Sequence, residues 1–248
     1  MYKDKVAIIT GGSGGIGLAA ARLLASKGAK VLITGRRTSV LDVIAASHPN
    51  IEGFAADAAD PEAAARTVAA AIERWGRLDI VVNNAGSGAI QPLATVNAQA
   101  INDIFAVNVA GPTLLAAAAL PHLEKSKGTI INISSTFGSK AAPELSLYSA
   151  SKAAVEQLTR CWSLELAPKG IRVNAIASGP VETEFLRDRM KLSDEQIAAV
   201  KEQEVQSIPL GRRGVPDDVA RWIAHLADPE ADWITGQIIA VDGGLTIA

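Results

Sequence analysis

Residues 6–17 read Val-Ala-Ile-Ile-Thr-Gly-Gly-Ser-Gly-Gly-Ile-Gly. The apolar run to Thr10 predicts a short buried β-strand, and the glycines that follow lead into an amphipathic helical pattern that ends near Lys27. Glycines permit a tight turn, and a helix N-terminus offers free N–H groups and a positive dipole end to an anion. This order predicts a loop that cradles the pyrophosphate of a dinucleotide, although taken alone it could be only a tight turn between a strand and a helix.

Strands and helices alternate through the rest of the chain. Further strands are predicted at residues 30–34, 51–56, 78–82, 129–133, 171–176 and 237–241, and helices at about 39–46, 61–75, 97–124, 148–167 and 217–226. The strands are continuous apolar runs, which is typical of parallel strands covered on both faces. The sequence therefore predicts one doubly wound, Rossmann-type α/β domain over residues 1–248, with a parallel sheet of about seven strands.

Residues 184–206 depart from this alternation and are long for a connection. They are read either as a mobile lid over a substrate or as an ordinary pair of surface helices. The basic residues Arg187, Arg189 and Lys191 within them could attract an anionic substrate or an acyl carrier protein, or could simply form a solvated helix face.

Composition excludes several classes of function. The 248 residues carry a net charge of −2 and only 4% aromatic residues, so neither a nucleic acid nor an anionic membrane surface is indicated as a partner. The N-terminus runs straight into the first strand without a signal peptide, and no apolar run reaches the length of about 18 residues that spans a bilayer. These features predict a cytoplasmic protein.

Cysteine and histidine usage predicts no metal site. The single cysteine, Cys161, excludes an internal disulfide and a cysteine-built metal site, and its helical pattern beside Leu158 and Trp162 indicates a buried thiol. The three histidines are far apart, without metal-ligand spacing, and are expected at the surface.

The run from Ser134 to Lys152 predicts an acid/base site. Tyr148 and Lys152 are four residues apart in a helical pattern, so their side chains share one face. A tyrosine has an ordinary pKa of about 10, and a nearby ammonium lowers that pKa. A hydroxyl from Ser134 or Ser135, at the end of the preceding strand, could hold a substrate oxygen.

These motifs together resemble the short-chain dehydrogenase/reductase family, in its compact branch that includes the 3-oxoacyl-carrier-protein reductases. The resemblance rests on Thr10–Gly17, Asn83-Asn-Ala-Gly86, Asn108, and Ser135 with Tyr148-xxx-Lys152, and it covers essentially the whole chain. It implies Ser135 as the catalytic serine and Tyr148 as the proton donor. It implies two tasks for Lys152, which lowers the tyrosine pKa and binds the nicotinamide ribose, and a water on Asn108 that connects the lysine to solvent. It also implies a homotetramer, or a homodimer.

The end of the second strand bears on cofactor choice. Folds of this kind select NAD with an acidic residue there, but this chain has Gly35, followed by Arg36 and Arg37. A guanidinium could pair with a 2′-phosphate, so NADP(H) is favoured, with NAD(H) preference as the alternative. Asp57 resembles the family residue that binds the adenine amino group, or could be a helix cap. The expected cofactor-binding set is Gly11, Ser13, Gly14, Gly15, Ile16, Gly17, Arg36, Arg37, Asp57, Ala58, Asn84, Ala85, Gly86, Tyr148, Lys152, Pro180, Val181 and Thr183.

The expected substrate is a ketone or aldehyde, or the corresponding alcohol, with a hydrophobic body. Its predicted contacts are Ser135, Phe137, Leu145, Tyr148 and Phe185, with Ser87, Ala141, Glu144, Leu186 and Met190 as further pocket candidates. Two other functions stay open: a catalytically silent cofactor-binding sensor, and an isomerase or dehydratase using the same cofactor. The intact set of Asn108, Ser135, Tyr148 and Lys152 argues against the first. The short chain leaves little room for the larger substrate domain that the second requires.

Overall fold

The seven predicted strands form one parallel sheet in the computed structural model, which describes residues 2–248. The strands are β1 (Val6–Ile9), β2 (Lys30–Gly35), β3 (Ile51–Ala55), β4 (Ile80–Asn83), β5 (Thr129–Ser135), β6 (Arg172–Ser178) and β7 (Ile238–Val241). Their order across the sheet is β3-β2-β1-β4-β5-β6-β7. The order reverses between β1 and β4, and ligands of such sheets bind in the crevice at that point.

Helices cover both faces of the sheet, as predicted. They are α1 (Gly15–Ser26), α2 (Thr38–Ala46), α3 (Ala63–Trp75), α4 (Ala98–Phe105), α5 (Gly111–Ser126), α6 (Ser146–Leu166), α7 (Phe185–Asp188), α8 (Asp194–Ser207) and α9 (Pro216–Ala227). Successive strand side chains point to opposite faces, so Ala7 and Ile9 pack with α1, α2 and α9, whereas Val6 and Ile8 pack with α3 and α5. The predicted doubly wound fold is confirmed.

The predicted long helix from residue 97 to residue 124 contains a local change of geometry. Asn97 caps α4 by accepting a 2.9 Å hydrogen bond from the Ala100 N–H, and five residues of π-helix, Ala106–Ala110, then join α4 to α5. A π-turn widens the helix by one residue, and such turns are frequent at functional sites. Asn108 lies inside this turn and is 1% exposed.

The same helical stretch corrects one expectation from the sequence. Residues Ala98–Ser126 form 29 helical residues, and an 18-residue window within them has a mean hydropathy of 1.7, so the stretch is long and apolar enough to cross a membrane by length and composition alone. The expectation that no such run exists was wrong because polar residues are too few and too scattered to lower the hydropathy. Core helices of soluble proteins meet the same two criteria, so this is weak evidence for a membrane span. Here Leu115, Ala119 and Leu123 are buried against the sheet.

Cys161 is exposed, which contradicts the prediction of a buried thiol. The buried face of α6 is built from Ser151, Val155, Thr159 and Ser163, which recur every four residues. Cys161 lies on the other side of the helix, as does Leu164, which is 80% exposed. The apolar pattern misled because the inward face of this helix consists mainly of small polar side chains.

Residues 184–206 form two helices, α7 and α8. Helix α8 starts with a capping box in which Ser193 and Gln196 bond each other's backbone N–H groups, and none of its residues is buried. The helices predicted for this segment are therefore present. A pair of helices is consistent with both predictions, a lid and an ordinary pair of surface helices.

Candidate active site

Ser135, Tyr148 and Lys152 meet at the carboxyl end of β5. Ser135 is the last residue of that strand, Tyr148 lies in the first turn of α6, and Lys152 follows one turn later. All three are buried, at 5%, 8% and 5% exposure. The Ser135 hydroxyl hydrogen-bonds the Tyr148 side chain, so the two hydroxyls that the sequence predicts at the reacting oxygen are adjacent.

The ammonium of Lys152 is hydrogen-bonded to the backbone of β5. Its Nζ donates a 2.8 Å hydrogen bond to the Ile133 carbonyl and lies 5.8 Å from the centre of the Tyr148 ring. Burial lowers the pKa of Lys152 to about 8. Burial also raises the pKa of Tyr148, and the hydrogen bond from Ser135 opposes that rise. The expected fall of the tyrosine pKa is thus absent from the protein alone, because desolvation outweighs the hydrogen bond from Ser135.

The structure separates the two candidate serines. Ser134 donates to Glu156 Oε1 at 2.9 Å and to the Lys152 carbonyl at 3.3 Å, so its hydroxyl serves to pack β5 against α6. Glu156 is buried, and burial raises its pKa. Ser135 instead faces Tyr148 and accepts a 3.2 Å hydrogen bond from the Phe137 N–H. This geometry favours Ser135, as the resemblance implied.

Asn108 is anchored from both ends of its amide. Its Oδ1 accepts from the Ser87 N–H and its Nδ2 donates to the Ser87 carbonyl, each at 2.8 Å. The same Nδ2 donates to Ser151 Oγ at 2.9 Å, and Ser151 donates to the Tyr148 carbonyl at 2.7 Å. A Cβ added at Gly86 would lie 3.6 Å from Lys152 Nζ and 3.7 Å from Asn108 Oδ1, so the amide and the ammonium border one small space.

The glycine-rich loop is held by the end of β4. Thr10 Oγ1 accepts hydrogen bonds from the N–H groups of Asn84 and Ala85 at 3.0 and 2.9 Å. The Asn84 Nδ2 donates to the Thr10 and Gly11 carbonyls at 2.8 and 3.2 Å. The Asn84 side chain is therefore committed to the loop, and its backbone is the part that a ligand could reach.

The cleft fits a dinucleotide at its pyrophosphate position. A Cβ at Gly17 would lie 2.5 Å from Asn84 Nδ2, so only glycine permits this approach, whereas a Cβ at Gly14 would meet nothing within 4 Å. Helix α1 begins at Gly15 without a side-chain cap, which leaves its first N–H groups for an anion. Ile16 packs against the core, so it offers only its backbone.

A small cavity of about 30 Å³ lies beside Asp57. It is lined by Thr10, Asp57, Ala58 and Ala85, among others. Asp57 Oδ1 accepts a 3.0 Å hydrogen bond from the Ala59 N–H, and α3 begins only at Ala63, so Asp57 is not its cap.

The end of β2 borders the glycine-rich loop. A Cβ at Gly35 would lie 3.2 Å from Ser13 Oγ. Arg36 and Arg37, which follow Gly35, are exposed.

The chain after β6 closes the other side of the cleft. Val181 forms a parallel bridge with Gly214, and the Pro180 carbonyl accepts from the Gly214 N–H at 2.9 Å. A Cβ at Gly15 would lie 2.9 Å from Thr183 Cγ2. Arg213, whose side chain is 5% exposed, donates to the Val181 carbonyl at 2.9 Å. No sequence pattern points to the burial of Arg213, because one of two adjacent arginines in a loop carries no periodic sign of burial.

Only some of the predicted substrate residues lie close to one another in the structure. The Phe185 ring lies 6.2 Å from the Tyr148 ring, and a Cβ at Gly88 would lie 3.0 Å from Met190 Cε. Leu145 and Leu186 are buried, while Ser87 and Phe137 are half-buried. Ala141 and Glu144 are exposed, although the Glu144 carbonyl joins the neighbouring loop by accepting from the Gln91 N–H at 2.7 Å.

Comparisons with known proteins identify the class. Residues 11–246 match the family model described as enoyl-(acyl carrier protein) reductase. An uncharacterized oxidoreductase of Mycobacterium tuberculosis is 41% identical over 98% of this chain and 92% of its own length. A 3-oxoacyl-[acyl-carrier-protein] reductase of Thermotoga maritima is 34% identical over 99% of both chains. The 3-ketoacyl-(acyl-carrier-protein) reductase of Brucella melitensis complexed with NADH superposes with a TM-score of 0.92, at 34% identity over 99% of both chains.

The chain therefore belongs to the short-chain dehydrogenase/reductase family and is an oxidoreductase. Within that family it is similar to the 3-oxoacyl-carrier-protein reductases, as its motifs predicted.

Proposed function

We propose that the protein interconverts a ketone or aldehyde and an alcohol by hydride transfer with NADP(H), and that Tyr148 is the general acid/base. The arrangement of Ser135, Tyr148 and Lys152 carries this proposal, because two adjacent hydroxyls and a buried ammonium converge beside the dinucleotide cleft. The relatives support the reductase class.

A bound nicotinamide would supply or accept the hydride. The protein would hold the substrate oxygen with the hydroxyls of Ser135 and Tyr148, where negative charge develops during reduction. Tyr148 would donate its proton to that oxygen, and its raised pKa keeps the phenol protonated beforehand. The Lys152 ammonium would stabilise the resulting phenolate, and the space shared by Gly86 and Asn108 would admit the ribose or a water that returns the proton.

The preference for NADP(H) over NAD(H) rests on charge. Gly35 puts no carboxylate at the end of β2, and Arg36 and Arg37 follow it. Guanidinium groups pair well with a phosphate. The Brucella melitensis relative was crystallised with NADH, so NAD(H) preference in this chain is the alternative that an experiment must exclude.

Steady-state kinetics test both parts of the proposal. Oxidation of NADPH and of NADH would be followed with a panel of ketones and aldehydes. We expect turnover with at least one carbonyl compound and a higher kcat/KM for NADPH, by about tenfold or more if one charge-assisted hydrogen bond to the phosphate is made. Gly35→Asp should reverse the preference. Binding of NADPH without any turnover would support the silent sensor instead, and a higher kcat/KM for NADH would support the NAD(H) alternative.

Several further features belong to the same proposal. We infer that residues 184–206 cover a substrate bound against Phe137, Leu145 and Phe185. We also infer that the protein is cytoplasmic. We further infer a homotetramer, or a homodimer, because α4, α5 and α6 expose Ile101, Leu114 and Leu164 at 41%, 38% and 80%. Light scattering on the purified protein tests the assembly, and a monomer at micromolar concentration would contradict it.

A further inference from the structure

We propose that Asp242 is a positioning residue for the proposed reaction: by accepting a hydrogen bond from Thr136, it fixes the orientation of the Ser135 hydroxyl. The inference rests on the proposed function, in which Ser135 holds the substrate oxygen. Asp242 lies 106 residues along the chain from Thr136, outside the motifs that predicted the site. Its effect on the reaction is indirect, because it acts through the residue that follows the serine.

Asp242 lies where three neighbouring strands end. It directly follows β7, which is beside β6 in the sheet, and β6 is beside β5. The Gly179 N–H, after β6, donates to the Val241 carbonyl at 3.0 Å, and a Cβ added at Gly179 would lie 2.6 Å from the Asp242 Cα. Thr136, after β5, donates from its Oγ1 to Asp242 Oδ2 at 3.2 Å. Asp242 therefore packs against the chain that follows β6 and bonds the chain that follows β5.

The carboxylate of Asp242 is itself held in place. Its Oδ1 accepts from the Gly244 N–H at 2.9 Å, and its Oδ2 accepts from the Thr246 N–H at 2.7 Å and from the Thr246 hydroxyl. Burial alone would raise the pKa of Asp242, but the hydrogen bonds from Thr246, Gly244 and Thr136 outweigh it and lower that pKa. The bond from Thr136 is therefore charge-assisted, and the alternative acceptor of that hydroxyl, the Ser178 carbonyl, is farther away at 3.5 Å.

Thr136 transmits this contact to the serine. It is 1% exposed, and its carbonyl accepts from the Lys140 N–H at 2.9 Å, which closes a turn over residues 136–140. Within that turn the Phe137 N–H donates to Ser135 Oγ at 3.2 Å. Because this N–H occupies one lone pair of the hydroxyl oxygen, it limits the directions in which Ser135 can donate its own proton. A displacement of Thr136 would move the N–H and release the hydroxyl.

The far end of the same turn is held by the same segment. Lys140 Nζ donates to the Leu245 carbonyl at 2.9 Å and to the Ala248 carbonyl at 2.6 Å. Residues 242–248 thus contact the first and the last residue of the turn that begins next to Ser135. Phe137, a predicted substrate contact, lies between these two points and is half-buried.

Three variants isolate the contact between Thr136 and Asp242. Thr136→Val removes the hydroxyl and keeps the branched shape, and Thr136→Ser restores a hydroxyl on the same carbon. Thr129→Val is the matched control at the other end of β5. Thr129 is 2% exposed, and its Oγ1 donates to the Arg172 carbonyl at 3.1 Å, so it loses a similar bond away from Ser135.

Kinetics with a carbonyl compound that the wild type reduces give the first test. We expect Thr136→Val to lower kcat by about threefold to tenfold, the effect of one hydrogen bond, and to change the dissociation constant for NADPH by less than about twofold. Thr136→Ser and Thr129→Val should keep kcat within about twofold of the wild type. An unchanged kcat in Thr136→Val, an equal fall in Thr129→Val, or a Thr136→Ser variant as slow as Thr136→Val would overturn the inference.

Double variants show which residues Thr136 acts with. Asp242→Asn should also lower kcat, and adding it to Thr136→Val should lower kcat no further than the slower single variant. In single-turnover measurements Thr136→Val should cause no further loss once Ser135 is changed to alanine, because the effect runs through the serine hydroxyl. Losses that multiply in either pair would show independent action and overturn the inference.

Hydrogen exchange tests the contact without relying on activity. Amides of residues 136–145 should exchange faster in Thr136→Val and Asp242→Asn than in the wild type, and Thr129→Val should leave them unchanged. Unchanged exchange in the first two variants would overturn the inference alone. A wild type that reduces no carbonyl compound would overturn the proposed function and, with it, the role of Asp242 in the reaction. Turnover by the wild type with equal turnover by Thr136→Val would overturn only the role of Asp242.

Discussion

The carboxamide of Asn108 makes two 2.8 Å hydrogen bonds with the backbone of Ser87, because its Oδ1 accepts from the Ser87 N–H and its Nδ2 donates to the Ser87 carbonyl. A residue in the π-turn between α4 and α5 thereby fixes the loop after β4. Ser87 is the neighbour of Gly86, which faces Lys152 Nζ. Asn108 thus helps to shape the space beside the Lys152 ammonium, because its side chain holds the backbone of Ser87 in place.

We expect Asn108→Leu to lower the free energy of unfolding by about 2–4 kcal/mol, because two partly buried peptide groups of Ser87 lose their partners. Activity should fall as well, since the loop beside Lys152 is released. Urea denaturation and kcat are the measurements. Asn102→Leu, on the exposed face of α4, is the control for the side-chain change and should alter stability by less than about 0.5 kcal/mol. Equal stabilities of the two variants would show that the Ser87 contacts contribute little.

Tyr148→Phe should remove the proposed proton donor and little else. The phenol hydroxyl bonds Ser135 and lies at the end of a side chain that is 8% exposed, so the ring can keep its packing. We expect kcat to fall by about 10²–10⁴, the range for loss of a general acid. The dissociation constant for NADPH, measured by fluorescence, should change by less than about threefold. Near wild-type turnover would exclude Tyr148 as the acid/base.

Lys152 should cost the protein stability at neutral pH. Its pKa falls from 10.5 to about 8 on burial, so the unfolded chain binds more protons than the folded chain between these two values. The unfolding free energy of the wild type should therefore rise as pH increases from about 8 to 10.5, by an amount on the order of 1–3 kcal/mol.

The variant Lys152→Met should be inactive and more stable than the wild type at pH 7, with the difference shrinking toward pH 10.5. Urea denaturation at several pH values measures this. Lys125→Met, at an exposed site on α5, is the control and should show no such pH-dependent difference. A Lys152→Met protein that is less stable than the wild type at pH 7 would mean that the hydrogen bond to the Ile133 carbonyl outweighs the burial of the charge.

Two adjacent arginines should differ sharply in their contribution to stability. Arg213 is 5% exposed and contacts Glu182 at 2.7 Å, Glu204 of α8 and the Val181 carbonyl, whereas Arg212 is 57% exposed and pairs with Asp218 at 2.7 Å. We expect Arg213→Met to destabilise the protein by about 1–3 kcal/mol, because two partly buried carboxylates and the buried Val181 carbonyl lose their partner. Arg212→Met should cost less than about 1 kcal/mol. Thermal unfolding measures both, and similar losses would contradict the difference in burial.

The sequence predicted the sheet, its helices and the cleft because those features follow from local patterns. Continuous apolar runs marked the parallel strands, and the glycines between Gly11 and Gly17 marked the loop. The run from Ser134 to Lys152 contained the central side chains of the site, and the resemblance added Asn108. Their assigned roles stay predictions.

What the sequence did not reveal depends on contacts between distant segments. The exposure of Cys161 depends on which face of α6 packs inward, and that face is polar. The burial of Arg213 depends on acids contributed by α8 and by the loop after β6. The raised pKa of Tyr148 depends on desolvation, which a four-residue spacing to Lys152 cannot predict.

The π-turn at Ala106–Ala110 makes the spacing of this region intolerant to a change in length. An α-helix rotates by about 100° per residue, so deleting one residue here would restore regular helical hydrogen bonds while turning α4 by that angle relative to α5. Asn108 would then no longer face Ser87. The turn is equivalent to a one-residue insertion that the helix has retained at a local energetic cost, and sequence alignments of this protein should show no gaps across it.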